Sequence, residues 1–344
     1  MTGFINFQQL LSMAIIDSLV TGCASYIILL LVLWLFRSFA SIFKYHLSNL
    51  CLLLVFVAFL WPFHKLLQQK DNITNTEQAT PFRPVDNKQA VSGTSIPIAT
   101  KQVVPVPVAA ANAPIPVPQE TNSVKAKFLD LVVLKMEAWS NMIFALYILG
   151  LLFFSLRLSI AYLYSLDLKK NGIISADENW QNGLKYAIEK LNIKRQVSIF
   201  FSTKAISPCI IGYSKAVILI PLALSTRLST EQAEAILLHE LAHLKNYDYY
   251  INIGLQILNC LLFFNPFSWL IIKKCKQYRE QSCDEITVRE NRNIALAESL
   301  AFIAENSNSN SLALMLKESK HKLLSRIQNL LDKNNRPKFS IPRR

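Results

Sequence analysis

His239, Glu240 and His243 fall in one short run, His239-Glu240-Leu241-Ala242-His243. Two histidines four apart in a helix lie one turn above the other on the same face, so both imidazoles can meet one metal ion. A glutamate beside the first can take a proton from a water on that metal, the arrangement used to hydrolyse peptide bonds. The plainer alternative is two histidines on a solvated helix face. Against it, the chain has only five His, and the motif follows a readable helix start. Ser229 can cap that start with Gln232 as its reciprocal partner three residues on. Ala233, Ile236, Leu237 and Leu241 then supply an apolar stripe.

A catalytic zinc ion takes three protein ligands and keeps one position open. Arg279-Glu280-Gln281-Ser282-Cys283-Asp284 offers Glu280 as the third, with Asp284 one turn later on the same face, placed to orient a histidine through its other ring nitrogen. A charged helix face is the rival for these residues, and the histidine pair tips the balance. No Cys-x-x-Cys pair occurs among the six cysteines, so cysteine-ligated zinc has no support.

These ligands impose a demand on the chain between them. Tyr249 to Ile272 is 24 residues without a charge, and a single membrane crossing there would put Glu280 on the opposite side from His239 and His243. Asn265-Pro266 resolves the conflict, because proline ends or kinks a helix at the preceding residue. The segment 249–272 is therefore expected to be a membrane-associated helical hairpin that returns to the side it left. Upstream, Val197 to Phe201 and Ala216 to Ile220 read as strands by β-branched and aromatic content, with Ser207 to Tyr213 as a further strand and turn. An edge strand beside the histidine helix could take a peptide as an added strand, and Ala216, Val217 and Ile218 are the residues expected to bind it. Burial inside a small sheet is the alternative. Trp180 to Leu191 reads as an amphipathic helix in front of this sheet.

The remaining elements are membrane anchors. Of 344 residues, 52% are hydrophobic and 17% charged, against about a quarter charged in soluble domains. Ser18 to Phe36, Leu47 to Phe63 and Ala138 to Leu156 carry no charge and approach the roughly 20 residues that a spanning helix needs. Residues 1–17 hold no Lys or Arg, whereas Arg37 and Lys44 lie in the first loop and Arg157, Lys169 and Lys170 follow the third span. The positive-inside rule then puts the N-terminus outside and everything after about residue 160 in the cytoplasm. Net charge is +13. A basic excess suits either nucleic acid or a cytoplasmic membrane face, and the spans favour the second. Eight of 14 prolines fall within 65–128, in runs such as Val104-Pro105-Val106-Pro107, which read as an extended outside tether. No disulfides are expected.

A Ser-Pro-Cys-x-x-Gly stretch at 207–212, an apolar strand ending in Pro221, the His-Glu-x-x-His helix, an apolar segment with Asn-Pro, and Glu-x-x-Cys-Asp follow in that order. In this the chain resembles the bacterial BlaR/MecR-type membrane metallopeptidases, the β-lactam-sensor and antirepressor family, over roughly residues 10–290. The resemblance implies a gluzincin-type cytoplasmic protease domain, zinc on His239, His243 and Glu280, catalysis by Glu240, and cleavage of itself or a cytoplasmic repressor after an outside signal. The family's best-known members continue into an outside penicillin-binding sensor; no further span is expected after residue 304, so β-lactam sensing does not carry over.

The expected architecture is an α-helical membrane anchor plus an α+β gluzincin-like zinc metallopeptidase domain with a small sheet and the hairpin. Residues 1–64 carry two spans, 65–128 the linker, 129–164 the third span, 165–304 the protease and 305–344 a basic helix and tail. That last helix, about Leu312 to Leu331, is read as lying on lipid or in solvent, or packing on the protease domain. One Zn2+ per chain, a protein or peptide substrate such as a transcriptional repressor, membrane lipid and a homodimer are the expected partners, without direct nucleic acid. The setting is the bacterial inner membrane. Tyr278 and His321 are the candidates for stabilising an oxyanion. A quality-control peptidase and a non-enzymatic receptor or scaffold with structural zinc are the rival functions.

Overall fold

A computed structural model of the chain describes residues 7–77, 123–212, 215–306 and 323–332. It forms two compact units, one of Met1–Pro62 with Asn141–Arg344, the other Phe63–Ser140. In the second unit the described backbone is helical, up to Glu77 and again from Ser123. Helix thus extends past the expected span ends into 66–77 and 123–128, where no proline interrupts it. The proline runs lie outside the described residues.

The larger unit begins with α1 (Phe7–Leu35) and α2 (Ser41–Glu77) and regains the chain in α3 (Ser123–Lys170). Phe7–Leu35, Ser41–Lys65 and Trp139–Lys170 are long and apolar enough to cross a membrane. After them comes a mostly helical domain with one small mixed sheet. Its strands are β1 (Ile173–Ser175), β2 (Val197–Ser202), β3 (Cys209–Ile211) and β4 (Ala216–Pro221), in the order β1-β2-β4-β3. β2 and β4 run parallel, and β1 and β3 are antiparallel edges. Between β1 and β2, α4 (Glu178–Leu191) is capped by Asp177, which accepts from the Trp180 amide, and ends at Asn192 in the left-handed region. A short turn, α5 (Leu222–Ser225), leads from β4 toward α6 (Thr230–Lys245).

The domain is built around α6. The capping box is present: the Ser229 amide donates to Gln232 Oε1 at 3.0 Å and the Gln232 amide to Ser229 Oγ at 3.3 Å. One side of α6, with Ile236, Leu237 and Leu241, packs against Trp180, Leu184 and Ala187 of α4 and Ile218 and Ile220 of β4. Its other side offers Ala235 to Leu296 and Ala297 of α9 (Asn293–Asn306). Apolar residues occur nearly all round α6, as a helix surrounded by protein requires. At the closest approach α4 presents Gly183, where a Cβ would meet Leu237 Cδ1 at 3.3 Å.

Two helices connect the histidine helix to Glu280: α7 (Asp248–Leu261) and α8 (Pro266–Arg289). The break falls at Asn265-Pro266. α8 then runs through Lys273 without interruption, so the expected end of the hairpin at 272 is not a structural boundary; proline at the first helical position starts a helix that nothing later stops. Asn265 is fully buried and does two jobs. Its Oδ1 accepts from the Phe267 and Ser268 amides at 3.0 and 3.4 Å, capping α8, while Nδ2 donates to the Ser18 carbonyl of α1 at 2.7 Å. Gly22, one turn along α1, makes room: a Cβ there would lie 2.8 Å from Asn265 Nδ2. Phe263 fills the notch that Gly150 leaves on α3, where a Cβ would overlap its ring, and stacks on Phe154 at 5.2 Å. The Tyr147 hydroxyl donates to the Leu261 carbonyl at 3.3 Å. The turn between α7 and α8 is thus held among the apolar segments of α1 and α3.

Replacing Asn265 by Ala removes a helix cap, worth about 1 kcal/mol, and leaves buried polar groups of Ser18 without their donor, costing about 1–3 kcal/mol more. Unfolding of the purified protein in detergent should show a loss of about 2 kcal/mol or more. A loss under about 0.5 kcal/mol, the range of neutral surface changes, would contradict this role.

Candidate metal centre

α6 and α8 bring His239, His243 and Glu280 together. The two Nε2 atoms are 3.2 Å apart, and Glu280 Oε2 is 3.7 Å from the first and 3.8 Å from the second. Ligand atoms about 2.0–2.1 Å from a tetrahedral zinc ion stand roughly 3.3–3.4 Å apart, so the spacing is that of a ligand set. The solvated-face alternative fails, because His239 is only 5% exposed.

What each ligand's other atom does shows why these three are available. His243 donates from Nδ1 to Asp248 Oδ2 at 2.7 Å, and His239 Nδ1 lies 3.1 Å from Asp284 Oδ1. Each carboxylate assigns the proton to Nδ1, leaving the Nε2 lone pairs facing one another. Glu280 is oriented likewise: Arg279 donates from Nη2 to Oε1 at 2.9 Å, so Oε2 is the oxygen turned inward. With both imidazoles neutral, three lone pairs therefore converge with no hydrogen-bond donor among the ligands themselves. The charges make the same point. Glu240, Asp248, Glu280 and Asp284 face Arg279 and Arg326 here; counted at ordinary ionisation, four negative charges against two positive leave a deficit that one divalent cation neutralises. The donor set fits zinc or a similar ion.

Asp284 stands where the sequence spacing put it, behind His239. Asp248 was not read from the sequence, although a carboxylate five residues after His243, where α7 begins, was a usable signal. Arg326 was missed as a site residue. Its helix, α10 (323–331), is described from residue 323 on. One face of it packs on the domain, the second of the two expectations: Leu330 is 4% exposed and packs with Ala235 and Leu296, with Ile327 beside it, while Leu324 and Leu331 on its other faces stay exposed. Apolar residues three apart give that helix a docking face. Arg326 donates from Nε and Nη2 to the two oxygens of Asp284, each at 2.7 Å.

Other expectations are corrected. Ala216, Val217 and Ile218 offer no free edge, because β4 is hydrogen-bonded to β2 on one side and β3 on the other, and Ala216 and Ile218 are buried. The chain leaves β2, forms the short β3 first and then turns back, so β4 enters between β2 and β3 and β3 takes the edge. The strand beside the metal ligands is β3: Pro208, Cys209 and Ile210 share a cleft of about 450 Å³ with His239, Glu240 and Glu280. Tyr278 does not line that cleft. It faces α2, with Lys44 Nζ 5.8 Å from its ring. His321 lies outside the described residues.

The thiols at the site are held in their neutral form. Burial, and secondarily the Glu240 carboxylate, push Cys209 up to about 11. Cys283 is held well above the usual thiol range by burial and by Asp248, Glu280 and Asp284 around it. Its Sγ is 3.3 Å from His243 Nδ1 and 3.7 Å from Asp248 Oδ2, a cluster that shares His243 with the ligand set and fills in behind it. Reactive cysteines need the opposite environment.

The carboxylates around His239 also act on its titration. Burial and the Arg326 guanidinium push His239 down, but hydrogen bonds to Asp284 and Glu280 outweigh them and lift it to about 9. Without metal, His239 therefore carries an extra proton at pH 7, and metal uptake must expel it. Because the folded value is raised, the stabilisation from this proton is fully present below about 6.5 and is lost as pH rises through about 9. Calorimetry at pH 7 in buffers of different ionisation enthalpy should report about one proton released per metal bound, fading above pH 9. A binding enthalpy independent of buffer at pH 7 would contradict this.

Comparison with known proteins agrees with the geometry. Regulatory protein BlaR1 of Bacillus licheniformis is 30% identical over 141 residues, which are 41% of this chain and 23% of that protein. The methicillin resistance mecR1 proteins of Staphylococcus aureus and Staphylococcus epidermidis are 26% identical over 91 residues, 26% of this chain and 16% of theirs. The matches thus span less than a quarter of these curated relatives. The BlaR1 peptidase M56 family, by contrast, matches residues 9–330, nearly the whole chain. Three membrane-length helices, a His-Glu-x-x-His helix joined to a glutamate by a broken hairpin, and this family match together place the chain in the BlaR1-type M56 peptidase family.

Proposed function

We propose that the chain is an integral-membrane zinc endopeptidase with a gluzincin-like domain and a cytoplasm-facing site, working as a signal-transducing regulatory protease. The observation that carries the proposal is the convergence of His239, His243 and Glu280 at a cleft that Glu240 also lines. Zinc bound there would polarise the scissile carbonyl and bring a water toward a pKa of about 7. The rest falls to the chain's own groups. Glu240 is next to the first ligand, 8% exposed and open to the cleft; its carboxylate takes the proton of the attacking water and returns it to the leaving amine. Asp248 and Asp284 keep both imidazoles in the ligating tautomer. The free edge of β3 offers backbone groups to an extended peptide, which would add as a further strand and lie across the ligands.

The cytoplasmic orientation rests on the first loop. The Ser41 amide at the start of α2 donates to Glu285 Oε1 at 3.1 Å, and Lys44 Nζ to the Arg37 carbonyl at 2.9 Å. The basic loop therefore lies at the end of α8 that carries Asp284, and by the positive-inside rule that end is cytoplasmic. The other end of α8 is gripped at Ser18, within the membrane-length helix Phe7–Leu35, so α7 and α8 form a hairpin that enters the bilayer and returns. The regulatory role is carried over from the name of the B. licheniformis relative, with a cytoplasmic repressor or the chain itself as substrate.

Two experiments test this. Cysteine labelling at positions 245 and 276 should report one compartment; opposite compartments would rule out the shared site. The Glu240→Ala variant should retain its metal while losing proteolysis by a factor of at least about 10², read as substrate fragments that disappear from the cell proteome. Unchanged fragments would refute the mechanism.

A further inference from the structure

Arg326 is better placed than a partner for Asp284 requires. α10 is anchored by Leu330 in the cluster of Ala235, Ala295, Leu296 and Ala297, and by Asn293 Nδ2, which donates to the Leu330 carbonyl at 3.2 Å. Arg326 lies one turn earlier on the same face, so the anchoring fixes where its guanidinium sits. The fork to Asp284 uses Nε–H and one Nη2–H and holds the plane of the group rigid. Three N–H donors are left over. Nη2 lies over the His239 ring, 2.9 Å from Nε2 and 3.3 Å from Nδ1, and Nη1 is 3.6 Å from Glu280 Oε2 at the edge of the cleft.

These directions cannot be satisfied by the ligands alone. The Nε2 lone pair lies in the plane of the His239 ring and is taken by a proton or a metal ion, so the second Nη2–H, held over the ring face, needs another acceptor. Glu280 Oε2 is likewise committed once metal is held. What remains is a side chain only 20% exposed, with fixed, charged donors on the wall of the cleft that Glu240 and the three ligands also line. Donors fixed in advance at a low-dielectric site are the means by which charge developing during a reaction is stabilised.

We propose that Arg326, delivered by α10, is a catalytic residue that binds the carbonyl oxygen of the scissile peptide bond and stabilises the negative charge that forms on it. This rests on the reading of the site as a peptidase. As the water oxygen bonds to the carbonyl carbon, its proton passes to Glu240 and the carbonyl π pair moves onto oxygen, where the Arg326 N–H groups hold it. When the C–N bond breaks, the pair returns to re-form the carbonyl and Glu240 gives its proton to the amine nitrogen. Arg326 neither gains nor loses a proton.

The test uses the full chain and a phosphinic peptide selected on the wild-type protein from a randomised library, with the amide peptide of the same sequence as its ground-state counterpart. Arg326→Gln should weaken the phosphinate by about 10²–10³-fold, as loss of an oxyanion donor does. Affinity of the amide peptide, measured in the Glu240→Ala background, should change by under about threefold, since ground-state binding is not what the donor serves. Metal content should stay at the wild-type level. Arg326→Lys keeps a charge but not the fork and should lose about tenfold; if the Gln variant does not fold, this variant carries the same comparison. Equal losses for both peptides, unchanged phosphinate affinity, or loss of metal would overturn the role of Arg326. A wild-type protein that selects no phosphinate from the library would overturn the peptidase reading itself.

Discussion

Three lone pairs cannot face one another across less than 4 Å of sheltered space without positive charge between them, and the domain is arranged around that demand. α6 supplies two lone pairs one turn apart, and is surrounded by protein so that the histidines cannot turn away. α8 supplies the third, from a glutamate whose other oxygen is held by Arg279. Asp248 and Asp284 then remove the remaining freedom by fixing which ring nitrogens carry protons. Each supporting carboxylate adds negative charge, so the demand for a divalent cation grows with every residue that sharpens the geometry.

The same demand explains why the chain does not simply cross the membrane after α6. A span from Tyr249 to Ile272 would satisfy hydropathy and destroy the ligand set. Asn265 reconciles the two. It stops one helix, caps the next, and satisfies its own buried amide on α1, in a notch that Gly22 leaves open. α8 consequently joins two environments in one rigid rod: its first turn is held by α1, and its site end by the start of α2 through Ser41 and Glu285. Glu280 lies between these two grips, so the position of the third ligand depends on how the membrane-length helices hold α8.

What could be read in the sequence was local. The capping box, the histidine pair, Glu280 with Asp284, the strands of the central pair and the Asn-Pro break all depend on spacings of a few residues. What depended on tertiary topology was not legible. Ala216, Val217 and Ile218 looked like a binding strand because they are apolar and follow a turn. Nothing in their order shows that β3 folds back to take the outer edge. β1, three residues long, has too little pattern to be seen. Arg326 lies in a basic segment that composition assigns to lipid; only the docking of Leu330 and Ile327 turns its guanidinium toward Asp284, 42 residues away in the chain.

The central claim is that His239, His243 and Glu280 hold one metal ion between them. X-ray absorption at the zinc edge of the purified, zinc-loaded protein measures that most directly. The account predicts two imidazole nitrogens at about 2.0–2.1 Å with the rest of the shell oxygen, and loss of the signal in Glu280→Ala. A sulfur neighbour at about 2.3 Å, which would mean Cys283 or Cys209 as ligand, or a protein that takes up no zinc, would contradict it.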